Sequence, residues 1–304
     1  MSDFVNKRQK KIELSTDDKI FYVVVNVILV LVTLIVLYPL VYVLSASFSS
    51  GKALLAGKVW LYPVDFSLEG YQEIFKNKNV WTGYGNTIFY TVVATTLNVF
   101  FTMVAAYPLS RRNLPGKGAI MMIFTFTMFF NGGMIPNYML MKNLHLINTR
   151  AVMIIPGLIS VYNLIIARTF IQSSIPYELY EACQVDGASH TRFFFQMVLP
   201  LSKAVLAVLA LYYAVGHWNA YFNALLYLSD RSKYPLQLFL REILVSNTLS
   251  EATGVDPELL AAKQGMSDLL KYCLIVVATV PILCVYPFIQ KYFATGVMIG
   301  SIKG

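Results

Sequence analysis

Six apolar runs dominate this chain, each near or above the ~20 residues that cross a bilayer as a helix. They cover residues 20–47, 84–109, 118–140, 150–171, 203–228 and 269–290. In hydrocarbon every backbone N–H and C=O has to be satisfied within the protein, so runs of this length fold as helices. The expected fold class is all-α, a polytopic membrane protein with six transmembrane helices. Composition agrees: 57% of the 304 residues are hydrophobic and 13% charged, where soluble domains carry about a quarter charged residues. The formal charge of +8 does not signal nucleic acid, because the cations sit in loops beside apolar runs, where they write topology.

Six spans put both termini on one side. With the N-terminus inside, the inner segments hold 13 of the 24 Lys and Arg residues, among them Lys7, Arg8, Lys10, Lys11, Arg111, Arg112 and Lys117. Most of the others fall in two long polar stretches, 48–82 and 229–267, where charge has little force on orientation. Both termini are therefore expected in the cytoplasm. The first apolar run is too long for the core of a cleaved signal peptide, so it is expected to stay attached. The chain divides into an inner N-terminal segment (1–19), a first span with its outer loop (20–82), a core of five spans (83–293) and an inner tail (294–304).

Catalysis has no foothold. His145, His190 and His217 lie in three different segments, with no HExxH and no paired Cys or His at metal spacing. No Gly-x-Ser-x-Gly elbow is present. The stretch from Gly51 to Val59 imitates a phosphate-binding loop, but it has one residue too many between its glycines and Val in place of Ser or Thr. Cys183, Cys273 and Cys284 form no disulfide framework. The last two are eleven residues apart, so they share a helical face and read as apolar packing. No cofactor, no metal and no enzymatic site is expected in this chain.

Polar residues inside spans are costly and face a bundle interior or a cavity. Asn131-Gly132-Gly133, with Pro136, interrupts the third run, a break tolerated only against protein or water. Tyr162 and Asn163 stand out in the fourth. The fifth carries His217-Trp218-Asn219-Ala220-Tyr221-Phe222-Asn223. On one continuous helix Asn219 and Asn223 share a face, as do Trp218 and Phe222. Amides beside rings suit a sugar, whose hydroxyls need hydrogen bonds and whose C–H faces stack on aromatics. The same residue types also serve helix packing and interface belts. The candidate pathway set is Asn131, Gly133, Tyr162, Asn163, Trp218, Asn219, Tyr221, Phe222 and Asn223.

Between the fourth and fifth runs lies a polar loop, 172–201. Pro176 opens a helix containing Glu178, Glu181 and Ala182, Gly187 breaks it, and Ser189 is placed to cap a second turn from His190 to Met197. Pro200 starts the climb back into the membrane. Surface helices that lie on lipid are usually Lys- or Arg-rich on the polar face. This one is acidic, through Glu178, Glu181 and Asp186, so it suits a protein partner.

Glu181-Ala182-Cys183, three residues, Gly187, nine residues, then Met197-Val198-Leu199-Pro200 resembles the EAA loop of bacterial ABC importer permeases. Cys183 stands where the family has a second alanine and Met197 where it has isoleucine. The resemblance extends over most of the core. Within the family the chain is similar to carbohydrate-uptake permeases, such as the maltose permease's smaller subunit, and most like the LplC/YtcP-type oligosaccharide permeases. Phe129–Pro136, Tyr213–Asn219 and Asp230-Arg231-Ser232-Lys233-Tyr234-Pro235-Leu236-Gln237 carry that likeness.

The resemblance implies a type I importer permease fold with cytoplasmic coupling helices, in a bacterial cell membrane. It implies coupling roles for Glu181, Ala182, Cys183, Asp186, Gly187, Ala188, Leu199 and Pro200. The implied partners are a second, different permease, two cytoplasmic ATPase subunits that hold ATP and magnesium, and an extracellular solute-binding lipoprotein. The cargo would be an oligosaccharide, and the tail from Thr295 to Gly304 would insert between the ATPases. The alternatives are a polytopic membrane enzyme using Glu181 and Asp186, or a permease for a non-sugar solute such as a peptide.

Overall fold

A computed structural model describes residues 15–248 and 257–301. Among them every regular element is helical. Helix α1, Thr16–Ser47, leaves its apolar residues facing outward along most of its length, Ile35 being 71% exposed, and buries only Ser45, Ala46 and Ser47 at its end. An apolar surface of that extent belongs in lipid.

The stretch expected as the first outer loop contains α2, Gly51–Leu55, and α3, Glu69–Lys76. A Cβ on Gly51 would meet the carbonyl carbon of Gly265 at 2.8 Å. Gly51, the glycine that opens the imitation phosphate loop, therefore serves a close backbone crossing. Helix α4, Lys78–Ser110, starts where Asn77 Oδ1 accepts from the Asn79 N–H at 3.0 Å. Its buried stripe of Asn86, Tyr90, Ala94, Asn98, Thr102 and Ala106 recurs every four residues, an advance of about 40° a step, so it winds slowly round the helix.

The third run breaks at the expected place. α5, Lys117–Phe129, and α6, Met134–Asn143, are bent by 113°. Gly133 takes φ +92°, and Asn131 Oδ1 accepts from the Gly133 N–H at 2.9 Å and from Asn137 Nδ2 at 3.3 Å.

The fourth run is not the expected helix over 150–171. Arg150–Met153 forms a 3₁₀ turn, an irregular stretch follows, and α7 is only Val161–Ser174. Pro156 removes a donor and Gly157 takes φ +77°. Side chains from other helices replace the lost bonds. Asn98 Nδ2 donates to the carbonyls of Gly157 and Leu158 at 3.0 and 2.9 Å, and the Ser160 N–H donates to the Tyr213 hydroxyl at 2.9 Å.

The polar loop holds α8 (Tyr177–Val185), α9 (His190–Phe193), a π-turn (Phe194–Val198) and α10 (Leu199–Leu201). The second turn therefore runs beyond Met197. Helix α11, Lys203–Trp218, leaves α10 at 80°, and the corner is Ser202 rather than Pro200. The π-turn, in which the Leu199 N–H reaches back to the Phe194 carbonyl, carries the chain through the proline before it bends.

The fifth run is also interrupted, since α12, Phe222–Tyr227, begins only after a break. α13 covers Leu236–Thr248, and α14, Pro257–Ser301, extends the expected sixth span at both ends and takes in most of the expected tail. Cys273 is buried and donates to the Ser47 carbonyl at 3.3 Å, whereas Cys284 is exposed. The contact with the end of α1 covers only the first of the two. The basic cluster Lys7, Arg8, Lys10 and Lys11 and the last residues, Ile302, Lys303 and Gly304, lie outside the described residues.

Among the described residues three helices are long and apolar enough to cross a membrane, or five if each bent pair is one span. Long helices therefore alternate with broken ones. α4 is the centre, packed by α7, α11 and α13.

Candidate functional site

At one end of α4 the polar loop is folded onto the bundle by rings rather than by charge. Tyr180, Phe193, Phe194 and Val198 are buried against Tyr107 and Leu109 of α4 and Ile171 of α7. The Arg111 guanidinium lies 3.2 Å from the Tyr180 ring centroid, and His190 stacks on the same tyrosine at 5.5 Å. Arg168 Nε and Gln172 Nε2 donate to the carbonyls of Leu109 and Ser110 at 3.0 and 3.3 Å, which closes the end of α4.

The loop's outward surface is what this anchoring leaves free. Glu181, Ala182, Asp186, Gly187 and Pro200 are exposed, while Cys183, Ala188 and Leu199 are half-buried. Val185 is 89% exposed at the tip. Among the described residues no ion pair engages Glu178, Glu181 or Asp186.

The turn itself is a Schellman motif. Gly187, at φ +75°, donates its N–H to the Gln184 carbonyl, and the Ala188 N–H donates to Cys183 at 2.9 Å. Ser189 Oγ accepts from the Arg192 N–H at 3.2 Å and starts α9, as its place in the sequence predicts.

Midway along α4 a buried polar network joins three helices. Asn98 is wholly buried; its Oδ1 lies 2.8 Å from His217 Nε2. Because its amide nitrogen already donates to two carbonyls, Oδ1 is the acceptor and His217 Nε2 carries a proton. Thr102 and Tyr213 share a hydroxyl–hydroxyl bond of 2.7 Å.

At the far end of α4 the segment Asp230–Gln237 is fixed by the same helix. Asn86 Nδ2 donates to the carbonyls of Ser232 and Tyr234 at 2.7 and 3.0 Å, and the Tyr90 hydroxyl donates to that of Lys233 at 2.8 Å. Thr87 Oγ1 accepts from the Leu236 N–H at 2.8 Å. Asn148 Oδ1 takes the Ser229 and Asp230 N–H groups at 3.2 and 3.0 Å. Hydrogen bonds from the Ser232 hydroxyl, the Ser232 N–H and Lys233 hold the Asp230 carboxyl down at about 2.

The candidate pathway residues fall into three groups. Asn131 and Gly133 form the α5–α6 break, both exposed. Tyr162 is exposed on α7, its ring 6.2 Å from Tyr212, while Asn163 beside it is buried. Trp218 is buried and donates its indole N–H to the Ala278 carbonyl at 3.0 Å. Asn219, Tyr221, Phe222 and Asn223 are exposed. The shared faces expected for Asn219 with Asn223 and Trp218 with Phe222 are lost, because the helix stops at Trp218 and restarts at Phe222. Asn219 instead folds back on the Val215 carbonyl at 2.9 Å.

Sequence reasoning missed the anchors Tyr180, Phe193 and Arg111, although the pairing of Tyr177 with Tyr180 three residues on was a visible signal for an inward face. It also missed Asn86, Asn98 and Asn148. Their partners lie about 60 to 150 residues away, and only the Asp230–Gln237 motif hinted that something held it.

Known proteins match over nearly the whole chain. LplC of Bacillus subtilis (strain 168) is 41% identical over 276 residues, covering 89% of this chain and 90% of that protein. The polygalacturonan/rhamnogalacturonan transport system permease protein YtcP of the same strain is 38% identical over 287 residues, covering 94% and 99%. A chain in the crystal structure of a bacterial ABC transporter involved in the import of the acidic polysaccharide alginate superposes with a TM-score of 0.81 at 35% identity, covering 92% of this chain and 99% of that one. The model of the binding-protein-dependent transport system inner membrane component matches residues 15–299. The chain belongs to that family, the membrane-embedded subunits of binding-protein-dependent transporters.

Proposed function

We propose that this chain is one half of the translocation pathway of an ATP-driven importer for oligosaccharides. It crosses the membrane six times, with both termini in the cytoplasm, the broken runs 118–140, 150–171 and 203–228 each counting as one passage. The partner is a second, different permease. Two ATPase subunits carrying ATP and magnesium dock on α8 and the Gly187 turn, and an extracellular solute-binding lipoprotein meets the stretches 48–82 and 229–267. Closure of the ATPases would drive the pair between inward- and outward-facing states by two-state rocking. The transport names of the relatives and the sugar-compatible amides and rings at the α11–α12 break support the oligosaccharide assignment.

The observation that carries this reading is the loop surface. An acidic helix with an exposed valine at its tip, anchored from behind by buried rings, is built to be gripped by a protein. Chemistry at Glu181 or Asp186 has no support, since both lie open without a cleft.

The test is Gly187→Asp, with Gly187→Ala beside it. A Cβ at Gly187 meets no atom within 4 Å, so the chain bears only the left-handed backbone strain, about 1–2 kcal/mol, and still inserts. The aspartate variant is expected to insert normally and lose uptake, with ATPase subunits failing to co-purify or failing to be stimulated. Normal co-purification together with persisting uptake would sink the docking assignment.

A further inference from the structure

A cavity of about 610 Å³ opens at the end of the bundle opposite the docking loop. That volume falls within the range of small-molecule sites, ~300–1,000 Å³. Its walls come from four elements: Asn77 and Asn79 at the start of α4, Leu225 of α12, Arg231 of the outer turn, and Phe239 with Arg241 and Glu242 of α13. Helix α4 has 33 residues, so at 1.5 Å per residue the cavity lies about 50 Å from the docking loop.

The charges in this cavity do not cancel. Arg231 Nη2 pairs with Glu242 Oε2 at 2.5 Å, and its guanidinium lies 5.9 Å from the Phe239 ring, so it is committed. Arg241 has no carboxylate partner among the described residues. It sits 5.4 Å from the ring of Tyr221. A ring contact of that kind orients a guanidinium without consuming its N–H donors. The walls therefore present one uncompensated planar cation, two amides and the ring of Phe239, with Tyr221 beside Arg241. Asn77 spends its Oδ1 on the Asn79 N–H and keeps its NH₂ for an incoming acceptor.

Tyr221 belongs to the break between α11 and α12, so the cavity adjoins the group of exposed amides and rings proposed to line the pathway. A guanidinium fork matches a carboxylate in bidentate geometry, amides match hydroxyls, and rings match the C–H face of a sugar. We propose that this cavity is a transit subsite for the acidic units of a uronate-containing oligosaccharide, with Arg241 selecting the carboxylate. The inference rests on the oligosaccharide-import reading and adds the charge of the cargo.

The experiment uses the complete transporter, with its partner permease, ATPases and binding protein, in proteoliposomes. Uptake of a galacturonic acid trimer is compared with that of maltotriose for wild type, Arg241→Gln and Arg241→Lys. The expected result is wild-type import of the acidic trimer, a fall of about tenfold or more in Arg241→Gln, the loss of one charge-assisted contact, and partial recovery in Arg241→Lys. Recovery by lysine separates a charge requirement from misfolding. Import of maltotriose but not of the acidic trimer overturns the acidic subsite and leaves the oligosaccharide importer standing. Import of neither also overturns the acidic subsite. Equal uptake of the acidic trimer by wild type and Arg241→Gln removes Arg241 from the path.

Discussion

Asn98→Leu is the most informative single change, because leucine keeps the volume and deletes every polar contact. Three hydrogen bonds go with it: two to the carbonyls of Gly157 and Leu158, and one from His217. Asn98 is wholly buried, so bulk solvent does not reach the groups it leaves. Interhelical bonds in membrane proteins are worth about 0.6 kcal/mol on average and about 1.7 at most. Three of them amount to about 2–5 kcal/mol, a large share of the ~5–15 kcal/mol that holds a protein folded. The solubilised variant should lose at least about 5 °C in Tm, read by thermal unfolding followed in tryptophan fluorescence. The double variant Asn98→Leu/His217→Phe sharpens the test. It no longer leaves an orphaned imidazole N–H, so its cost should fall below the sum of the two single changes by about 0.5 kcal/mol or more. A variant within about 0.5 kcal/mol of wild type, or strict additivity in the pair, refutes the assigned network.

Further outcomes are expected at Gly265, Gly57 and Asp230. Gly265→Ala places a Cβ 2.8 Å from the Gly51 carbonyl oxygen, so α2 has to move off α14, at a cost of about 1–3 kcal/mol seen as a lower Tm. Gly57→Ala, with no atom within 4 Å of the new Cβ and φ +64°, should cost only about 1–2 kcal/mol from the left-handed backbone. Asp230 is held at about 2, below the ordinary carboxylate value, so its stabilisation of the outer turn is fully present above about pH 4 and is lost as pH falls toward 2. Hydrogen exchange at Ser232 should be as protected at pH 5 as at pH 7, once corrected for intrinsic rates, and Asp230→Asn should weaken that protection at both.

Hydropathy made α1 and α4 legible, because both are long apolar stretches with little to interrupt them. It failed over 150–171 and 203–228 for the same physical reason. Apolar content reports where a segment can lie, not whether its backbone stays helical. Pro156 and Gly157 sit among isoleucines and leucines, so the run looks unbroken until the Asn98 amide that donates to the break and the Tyr213 hydroxyl that accepts from it are seen. The α5–α6 bend was readable because Asn131 and two glycines interrupt the run openly. The polar loop was readable as a motif, from Glu181 through Gly187 to Pro200. Its attachment was not, since the ring of Tyr180 meets Arg111 from a segment 69 positions earlier. The Asp230–Gln237 turn shows the same limit: its own residues carried the family likeness, while Asn86, Thr87, Tyr90 and Asn148, which hold it, looked like ordinary polar residues.

One long helix, α4, holds three of the parts that the proposed function uses. The Tyr107 ring near the end of α4 packs on Phe193 and Phe194 of the polar loop at 6.2 and 5.4 Å. Asn98 and Thr102 in the middle hold the break before α7 and the hydroxyl of Tyr213 on α11. Asn86, Thr87 and Tyr90 at the far end hold the outer turn from which Arg231 enters the cavity. Packed helices shift between discrete arrangements rather than deforming continuously. Under the proposed function, a displacement imposed on α8 by a partner therefore reaches the outer turn through a helix gripped at three heights. The connections between spans are secured to that helix by hydrogen bonds instead of hanging free. At two irregular stretches, the one before α7 and the Asp230–Gln237 turn, α4 supplies side chains that satisfy exposed backbone groups, so breaks that disrupt the hydropathy pattern are also places where neighbouring elements are tied together.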